Sequence, residues 1–219
     1  MKYDLHVHSK YSSDGYLDPK VIIKTALKRG LSGVAITDHN TIKGGLETKK
    51  YETSDLQVIV GSEILTDRGE VIGLFLSEEI KPDSLENVVQ EINDQNGLVI
   101  TPHPFDEIRG NGIKPEKDDV HLLDGVEVYN SRCLRSKYNL KAQEFAQKYK
   151  LNISAGSDAH FAGEIGKAGI MVNSEITQAH ELKNIISTGN PTFFGERSNI
   201  INLGLTKVLK IWRKRKVSG

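Results

Sequence analysis

The chain has 219 residues, of which 29 are lysine or arginine, 29 are aspartate or glutamate and one is cysteine. Hydrophobic residues make up 37% of the sequence, which is enough for a sizeable core and excludes a disordered chain. The single cysteine excludes an intrachain disulfide framework, and no apolar run approaches the ~18 residues that span a bilayer. The N-terminus has no apolar signal-peptide stretch, so we expect a cytoplasmic protein with no membrane partner.

The zero net charge conceals an uneven distribution of charge along the chain. Six basic and no acidic residues lie in 207–219, which leaves 23 basic and 29 acidic residues in the remainder. This tail is either an RNA-contacting arm, with Trp212 stacking on a base, or a helix that packs Trp212 on the body. We expect a single domain over 1–219, with the basic tail at about 207–219 as an appendage.

Short apolar strands alternate with amphipathic helices, and the first helix has Asp18 as its cap and Pro19 as its first residue. Such repeated strand–helix units predict a parallel sheet covered by helices, and about seven units favour a closed barrel. The expected strands are 4–8, 33–37, 56–64, 70–76, 98–101, 125–129, 152–155, 169–172 and 191–194. The expected helices are 19–30, 82–96, 134–149 and 178–187.

Polar side chains follow these strands at the points where they end. In a parallel barrel the carboxyl ends of all strands open on one face, so we expect these side chains to converge. Imidazole and carboxylate bind zinc, manganese or iron, and a carboxylate such as that of Glu63 can bridge two ions. The sequence therefore predicts a metal cluster. Its candidate residues are His6, His8, Asp38, His39, Glu63, His103, Asn130, Asp158 and His160.

Five segments resemble, in the correct order, the motifs of the PHP (polymerase and histidinol phosphatase) superfamily. They are DLHVHS with YSSDG just after it, AITDHN, GSE, TPHP and GSDAH, and they extend from Met1 to about Phe161. The resemblance implies an α/β fold, a distorted (β/α)7 barrel of PHP type, that binds two or three divalent metal ions and hydrolyses phosphoesters. The native metal is left open between Zn²⁺, Mn²⁺ and Fe²⁺.

The same resemblance implies a ligand for each ion, residue by residue. The first ion would be held by His6, His8, Glu63 and Asp158. The second would share Glu63 and add His103 and Asn130, and the third would use Asp14, His39 and His160. Asn130 stands where many members have a histidine, and a neutral amide is a weak ligand. The catalytic set implied is His6, His8, Glu63, Asp158 and His160.

Phosphate also needs cationic hydrogen-bond donors outside the metal shell, and the guanidinium of arginine can bind it in a bidentate manner. Arg109, Arg132 and Arg135 follow strands on the expected functional face, so they are candidate substrate-binding residues, with solvated surface arginines as the alternative. Asp38 either orients a ligand histidine or caps the next helix. Cys133 has no base partner in the sequence, so we expect an inert thiol.

These observations predict a metal-dependent phosphoric ester hydrolase. Its substrate is expected to be a phosphomonoester or phosphodiester of a small metabolite, a nucleotide or a short oligonucleotide such as RNA, cleaved through metal-activated hydroxide. The residues around 11–15, 37–41 and 128–132 look closer to the small-nucleotide and RNA branch of the family. The alternatives are a histidinol-phosphatase-like activity, an amidohydrolase-type barrel, and a non-catalytic PHP module that acts as a protein partner. No obligate protein partner is evident.

Overall fold

The structure is a computed structural model that describes residues 1–174, 176, 178–189, 191–199, 202 and 204–206. The basic tail expected at about 207–219 lies outside the described residues. Nine strands are present in the described part. They are β1 (Lys2–Val7), β2 (Gly33–His39), β3 (Gln57–Thr66), β4 (Gly69–Leu74), β5 (Leu98–Thr101), β6 (Gly125–Asn130), β7 (Asn152–Gly156), β8 (Ala168–Met171) and β9 (Thr192–Gly195).

Helices cover the outside of the sheet and follow local sequence signals. The side chain of Asp18 caps the first helix by accepting a hydrogen bond from the backbone N–H of Lys20, and Pro19 begins it. Its apolar side, which includes Ile22 and Ala26, is buried against β1 and β2. The helices are α1 (Pro19–Lys28), α2 (Lys43–Lys49), α3 (Leu85–Asp94), α4 (Ser136–Tyr149) and α5 (Ala179–Thr188), with a 3-10 helix at Lys117–Leu122.

The nine strands form one mixed sheet in the order β7-β6-β5-β4-β3-β2-β1-β8-β9. The pairs β1–β2, β2–β3, β5–β6 and β6–β7 are parallel, as expected. β4 is instead antiparallel to both of its neighbours, because the turn between Thr66 and Gly69 reverses the chain. β8 and β9 are also antiparallel to their neighbours, so the strictly parallel arrangement expected from the strand–helix alternation is wrong in these places.

The sheet curls into a distorted, nearly closed barrel, because the segment after β7 reaches the end of β1. Val7 pairs in parallel with Ala159, and the backbone N–H of His8 donates to the carbonyl of Ala159 at 2.9 Å. The backbone N–H of Asp158 donates to the carbonyl of His6 at 2.7 Å. Two of the expected motifs, far apart in sequence, are thereby joined at the carboxyl end of the barrel.

Alternating side chains divide the apolar core into an inner and an outer part. On β2, Ala35 belongs to the inner cluster, together with residues such as Leu5 and Ile59. Val34 and Ile36 belong to the outer cluster under α1. Similar outer clusters lie under α3 and α4. The barrel interior is thus filled by side chains below the polar residues.

The seven-residue helix α2 has no counterpart among the expected elements. It contains two glycines, which favour helices poorly, and no side chain caps its first residue Ile42. A Cβ at Gly44 would collide with the carboxylate of Asp38, and a Cβ at Gly45 would lie 3.0 Å from Val60. Close packing against the sheet therefore explains why a weak helix sequence forms this helix.

Within the described residues, no helix combines the length and the apolar character needed to cross a membrane.

Candidate metal centre

The strand-end residues meet in one buried cluster at the carboxyl end of the barrel. The Nε2 atoms of His6 and His8 are 3.1 Å apart. The Nε2 atom of His8 lies 3.4 Å from a carboxylate oxygen of Glu63 and 3.4 Å from one of Asp158. The Nε2 atom of His103 lies 2.9 Å from the other Glu63 oxygen. These five side chains are at most 2% exposed, so the expected convergence is present.

A second group lies beside the first and is joined to it through Glu63. The carboxylate of Asp14 is 3.2 Å from Nε2 of His39 and 3.3 Å from Nε2 of His160. The other ring nitrogen of His39 is 3.2 Å from Glu63. The grouping expected for a third ion therefore assembles next to the grouping expected for the first.

Four sets of nitrogen and oxygen donors among the described residues are close enough to hold a cation, because the donor atoms of each set lie within 4.8 Å of one another. Imidazole nitrogen and carboxylate oxygen are the ligands that zinc, manganese and iron accept, so the donor chemistry fits such ions. The sets are His8, Asp14, His39 and His160; His6, His8 and Asp158; His6, Glu63 and His103; and His39, Glu63 and Glu70.

The backbone is strained at two of these residues. His103 has a φ of 30° and Asp158 a φ of 54°, in the left-handed region that non-glycine residues rarely occupy. Such strain costs about 1–3 kcal/mol per residue and clusters at functional sites. At Asp158 the hydrogen bond to the carbonyl of His6 holds the strained backbone in place.

The electrostatics of the cluster favour charged carboxylates. Burial alone would raise the pKa of the Glu63 carboxyl, but His39 and His6 outweigh it and hold that pKa well below its usual range. The pKa of Asp158 is lowered in the same way, chiefly by Arg109 and His6 against the effect of burial. Burial also works against protonation of His39, yet Glu63 and Asp14 raise its pKa to about 9. The carboxylates thus attract positive charge.

Burial and neighbouring groups keep the ring of His160 neutral. Burial, followed by His8 and Arg132, lowers the pKa of His160 to about 4, so the ring is neutral at pH 7. The guanidinium of Arg132 contacts Nδ1 of His160 and donates to Oγ1 of Thr206 at 2.8 Å. Arg132 is only 4% exposed. A neutral imidazole is the form that binds metals.

Arg109 reaches the cluster from the loop after β5. Its guanidinium contacts the carboxylate of Asp158 and donates to Oδ1 of Asn130 at 3.2 Å. A third contact joins Nε to Asp106 at 3.3 Å. The side chain remains 23% exposed, so Arg109 lies at the edge of the cluster while Arg132 lies within it.

Asn130 also lies in the cluster, but its amide is engaged by protein groups. Oδ1 accepts from Arg109 and from the backbone N–H of Arg132 at 2.9 Å. Nδ2 donates to Glu127 at 3.0 Å and to Asp158 at 3.2 Å. These four hydrogen bonds use the full capacity of the amide. Asn130 as a metal ligand stays a prediction, and in this structure the side chain connects Asp158 to its neighbours.

Three further residues singled out in the sequence are Arg135, Cys133 and Asp38, and the structure gives none of them a direct place in the cluster. Arg135 is exposed at the N-terminus of α4 and does not line the pocket, and therefore the structure does not bring it to the cluster. Cys133 is buried, and burial raises the pKa of its thiol, as an inert thiol requires. Asp38 accepts hydrogen bonds from the backbone N–H and the hydroxyl of Ser9, both at 2.6 Å. It neither orients a ligand histidine nor caps α2, whose cap is Ile42.

Glu127 is a functional candidate that the sequence analysis missed. Nδ1–H of His6 donates to one of its carboxylate oxygens at 2.9 Å, and the backbone N–H of His103 donates to the other at 2.6 Å. A carboxylate on the far nitrogen of a ligand histidine fixes the tautomer and makes the ring a stronger ligand. The available signal was a single charged residue between Val126 and Val128 in an apolar strand.

Glu70 was missed because of strand direction. It lies near the start of β4, not at the end of a strand, and its carboxylate is 3.5 Å from Nδ1 of His39. Because β4 is antiparallel, its first residues lie at the same end of the barrel as the last residues of β3. A search of strand ends alone cannot find such a residue.

Part of the cluster lines a pocket with a volume of about 270 Å³, whereas His6, His8 and Asn130 do not line it. Carboxylates and imidazoles line part of it and two arginines line another part. The lining residues are Asp14, His39, Glu63, Glu70, His103, Arg109, Asn111, Arg132, Asp158, His160 and Thr206.

The fold and this buried arrangement of histidines and carboxylates agree with a family match. The chain belongs to the PHP domain family, whose model matches residues 4–202. The resemblance seen in the motifs is thereby confirmed, as is the distorted barrel that it implied.

Two relatives come from the archaeon Methanocaldococcus jannaschii. One uncharacterized protein is 47% identical over 145 residues, which cover 60% of this chain and 82% of that protein. Another is 40% identical over 177 residues, which cover 78% of this chain and 70% of that protein. A 5′-3′ exoribonuclease of Haemophilus influenzae is 28% identical over 170 residues, which cover 74% of this chain and 60% of the exoribonuclease.

Two solved structures share the fold at low sequence identity. A protein of Bifidobacterium adolescentis, provisionally assigned as a metal-dependent phosphoesterase, superposes with a TM-score of 0.64 at 17% identity, covering 91% of this chain and 98% of that chain. The lesion-specific Endonuclease Q of Pyrococcus furiosus superposes with a TM-score of 0.61 at 16% identity, covering 88% of this chain and 57% of that chain. At this identity the likeness shows the fold alone.

Proposed function

We propose that the chain is a metal-dependent phosphoesterase that hydrolyses a phosphomonoester or phosphodiester of a small metabolite, a nucleotide or a short oligonucleotide. The observation that carries the proposal is that the pocket of about 270 Å³ combines metal-binding donors with two guanidinium groups, those of Arg109 and Arg132. A phosphoester needs both, since divalent cations and arginine both bind its oxygens.

The cations would be held by the imidazole and carboxylate donors of the cluster, with Glu63 able to serve more than one ion. When bound, divalent cations lower the pKa of water and neutralise phosphate oxygens, which supplies the nucleophile and the charge stabilisation for hydrolysis. Glu127 holds His6 in the tautomer that leaves Nε2 free for a metal, and Asn130 and Arg109 hold the carboxylate of Asp158. The number and identity of the ions belong to this proposal.

Arg132 and Arg109 supply the anion-binding part of the mechanism. Arg132 is buried and is held by Thr206, so its planar guanidinium is already oriented before a phosphate enters. Arg109, at the pocket edge, can release Asn130 and turn toward a second oxygen. His160 is neutral at pH 7, so its ring is in the form that can bind a metal. No covalent intermediate on the protein is needed.

The similar proteins support a substrate that contains nucleotides. One is named a 5′-3′ exoribonuclease, and Endonuclease Q has been crystallised with a 27-mer duplex that carries an abasic lesion at its active site. The intact set of donors favours an enzyme over a non-catalytic module. Histidinol-phosphatase-like activity remains the alternative within the same chemistry. We also propose that 1–219 forms one domain, which the family match over 4–202 supports.

The test combines metal analysis with hydrolysis assays on the wild type, His8→Ala, Asp158→Ala and the control Lys141→Ala, an exposed residue of α4. The substrates are nucleoside 3′,5′-bisphosphates, oligoribonucleotides and histidinol phosphate. We expect bound metal and hydrolysis in the wild type and the control, and loss of both in the two site variants. The proposal fails if the wild type binds no metal, or if both site variants hydrolyse as the wild type does. Metal binding without hydrolysis of any substrate would favour the non-catalytic module.

A further inference from the structure

A group of lysines and tyrosines lies on the α1–α2 side of the barrel, outside the pocket. The ammonium nitrogens of Lys10 and Lys43 lie 5.6 Å and 5.4 Å from the centre of the Tyr11 ring. The ammonium nitrogen of Lys20 lies 5.4 Å from the centre of the Tyr51 ring. We call these five residues the lysine–tyrosine face. Tyr51 is 39% exposed, the three lysines are exposed and Tyr11 is half-buried, so solvent reaches every member of the face.

The charge of α1 contrasts with that of α3 on another side of the barrel. α1 carries three lysines and no acidic residue, whereas α3 carries three acidic residues and no basic one. Lys10 is paired with Asp18 at 2.8 Å. Among the described residues, neither Lys20 nor Lys43 has a carboxylate within 4.0 Å. Two ammonium groups of the face are therefore available to an external anion.

The face is continuous with the rim of the pocket. Tyr11 is followed by Ser12, whose hydroxyl donates to Asp14 at 2.9 Å and accepts from the backbone N–H of His39 at 3.3 Å. Asp14 and His39 both line the pocket. Lys43, which flanks Tyr11, begins α2 four residues after His39. Tyr11 and Lys43 thus adjoin pocket-lining residues in the chain, although they do not line the pocket themselves.

We propose that the lysine–tyrosine face binds a single-stranded nucleic acid whose terminal phosphate enters the pocket. Ammonium groups suit its phosphates, and tyrosine rings suit its unpaired bases, which have stacking faces regardless of sequence. No Phe, Tyr or Trp lines the described pocket, whereas the lysine–tyrosine face carries two tyrosine rings. A base that stacks on Tyr11 displaces one ammonium group, which then pairs with a phosphate. This inference rests on the proposed function and names its substrate class.

The test measures fluorescence anisotropy of a labelled ten-nucleotide oligouridylate in the presence of EDTA, so that binding is read without catalysis. For the Lys20→Ala, Lys43→Ala double variant we expect about tenfold weaker binding, and a salt dependence whose slope is smaller by about 1.4, since each phosphate contact on a single strand contributes about 0.7. For Tyr51→Ala we expect about tenfold weaker binding, with Tyr51→Phe close to the wild type, because the ring alone stacks.

The matched control is Lys148→Ala, because Lys148 lies 5.0 Å from the centre of the Tyr149 ring on α4, the same pairing at another position. We expect it to bind as the wild type does. Hydrolysis of p-nitrophenyl phosphate by the metal-loaded Lys20→Ala, Lys43→Ala variant should stay within twofold of the wild type. The inference is overturned if the wild type does not bind the oligonucleotide, if the control loses as much affinity as the double variant, or if a duplex of the same sequence binds more tightly. Failure of the proposed function is a separate result, namely a wild type that binds no metal and hydrolyses no phosphoester.

Discussion

The two sides of the pocket both carry carboxylates and imidazoles but differ in charge. The side formed by β1 to β4 lines the pocket with carboxylates and imidazole and contributes no arginine or lysine there. The side formed by β5 to β7 adds guanidinium groups to the same kinds of donor. On the first side the lining residues are Asp14, His39, Glu63 and Glu70, and on the second they are His103, Arg109, Asn111, Arg132, Asp158 and His160.

This difference assigns two tasks to one pocket. The first side presents oxygen and nitrogen donors, which bind cations, while the second side can also hold an anion. Asp158 stands between them, since its carboxylate lies 3.4 Å from His8 on one side and contacts Arg109 on the other. A phosphoester placed between the sides would meet metal ions and arginine together. Substitutions on the two sides should therefore fail in different ways.

The largest effect is expected on the first side of the pocket, which carries donors for cations and no arginine. Glu63→Gln removes a carboxylate that belongs to two of the donor sets, so at least one ion should be lost in metal analysis. Because bound cations supply several kcal/mol of transition-state stabilisation, kcat/KM should fall by about 10³-fold. Glu78→Gln, at an exposed position, serves as the control. Full metal content with normal turnover in Glu63→Gln would contradict the assignment of cation binding to the first side.

A smaller effect is expected on the second side of the pocket, which carries the arginines. It should lower activity without changing metal content. Arg132→Lys keeps the positive charge but removes the planar fork, so kcat/KM should fall by about 10²-fold while metal content is unchanged. Arg135→Lys is the matched control, because Arg135 is exposed outside the pocket and should tolerate the change. Loss of metal from Arg132→Lys, or equal losses of activity in both variants, would show that cation binding and anion binding are not separated between the two sides.

Glu127→Gln tests whether the hydrogen bonds of Glu127 to His6 and His103 are needed for metal binding. The substitution weakens the hydrogen bond from His6 and places an amide against the backbone N–H of His103. Removal of such a carboxylate partner costs about 10- to 100-fold in metal affinity, which a metal titration measures. Glu144→Gln, an exposed residue of α4, should bind metal as the wild type does. An unchanged affinity in Glu127→Gln would mean that the His6 tautomer does not depend on Glu127.

The smallest effect is expected at Cys133. This residue follows β6, next to Arg132, and has no role in the proposed chemistry. Cys133→Ala should leave kcat/KM within about twofold and lower the free energy of unfolding by about 1 kcal/mol, since a buried side chain is shortened. Thermal unfolding and steady-state kinetics measure the two quantities. A folded Cys133→Ala protein without activity would instead indicate a thiol nucleophile.

Much of the fold could be predicted from local patterns. The helix beginning at Pro19 follows from its cap, its proline and its apolar spacing, and all nine strands overlap the expected ones. The short turn at Thr66–Gly69 joins two of the expected strands. It reverses β4 and brings Glu70 to the functional end. α2 was not predictable from propensity, because packing against Asp38 and Val60 makes its two glycines suitable.

The sequence by itself determined the types of the candidate metal-binding residues and the position of most of them at the ends of strands. It did so because strand periodicity and the carboxyl-end rule for parallel strands are local and topological signals that survive without coordinates. Only the tertiary structure decided which arginine enters the pocket, since Arg132 and Arg135 are three residues apart yet one is buried and the other exposed. It also decided that the amide of Asn130 connects Asp158 to Glu127, because hydrogen-bond partners depend on side-chain directions in space.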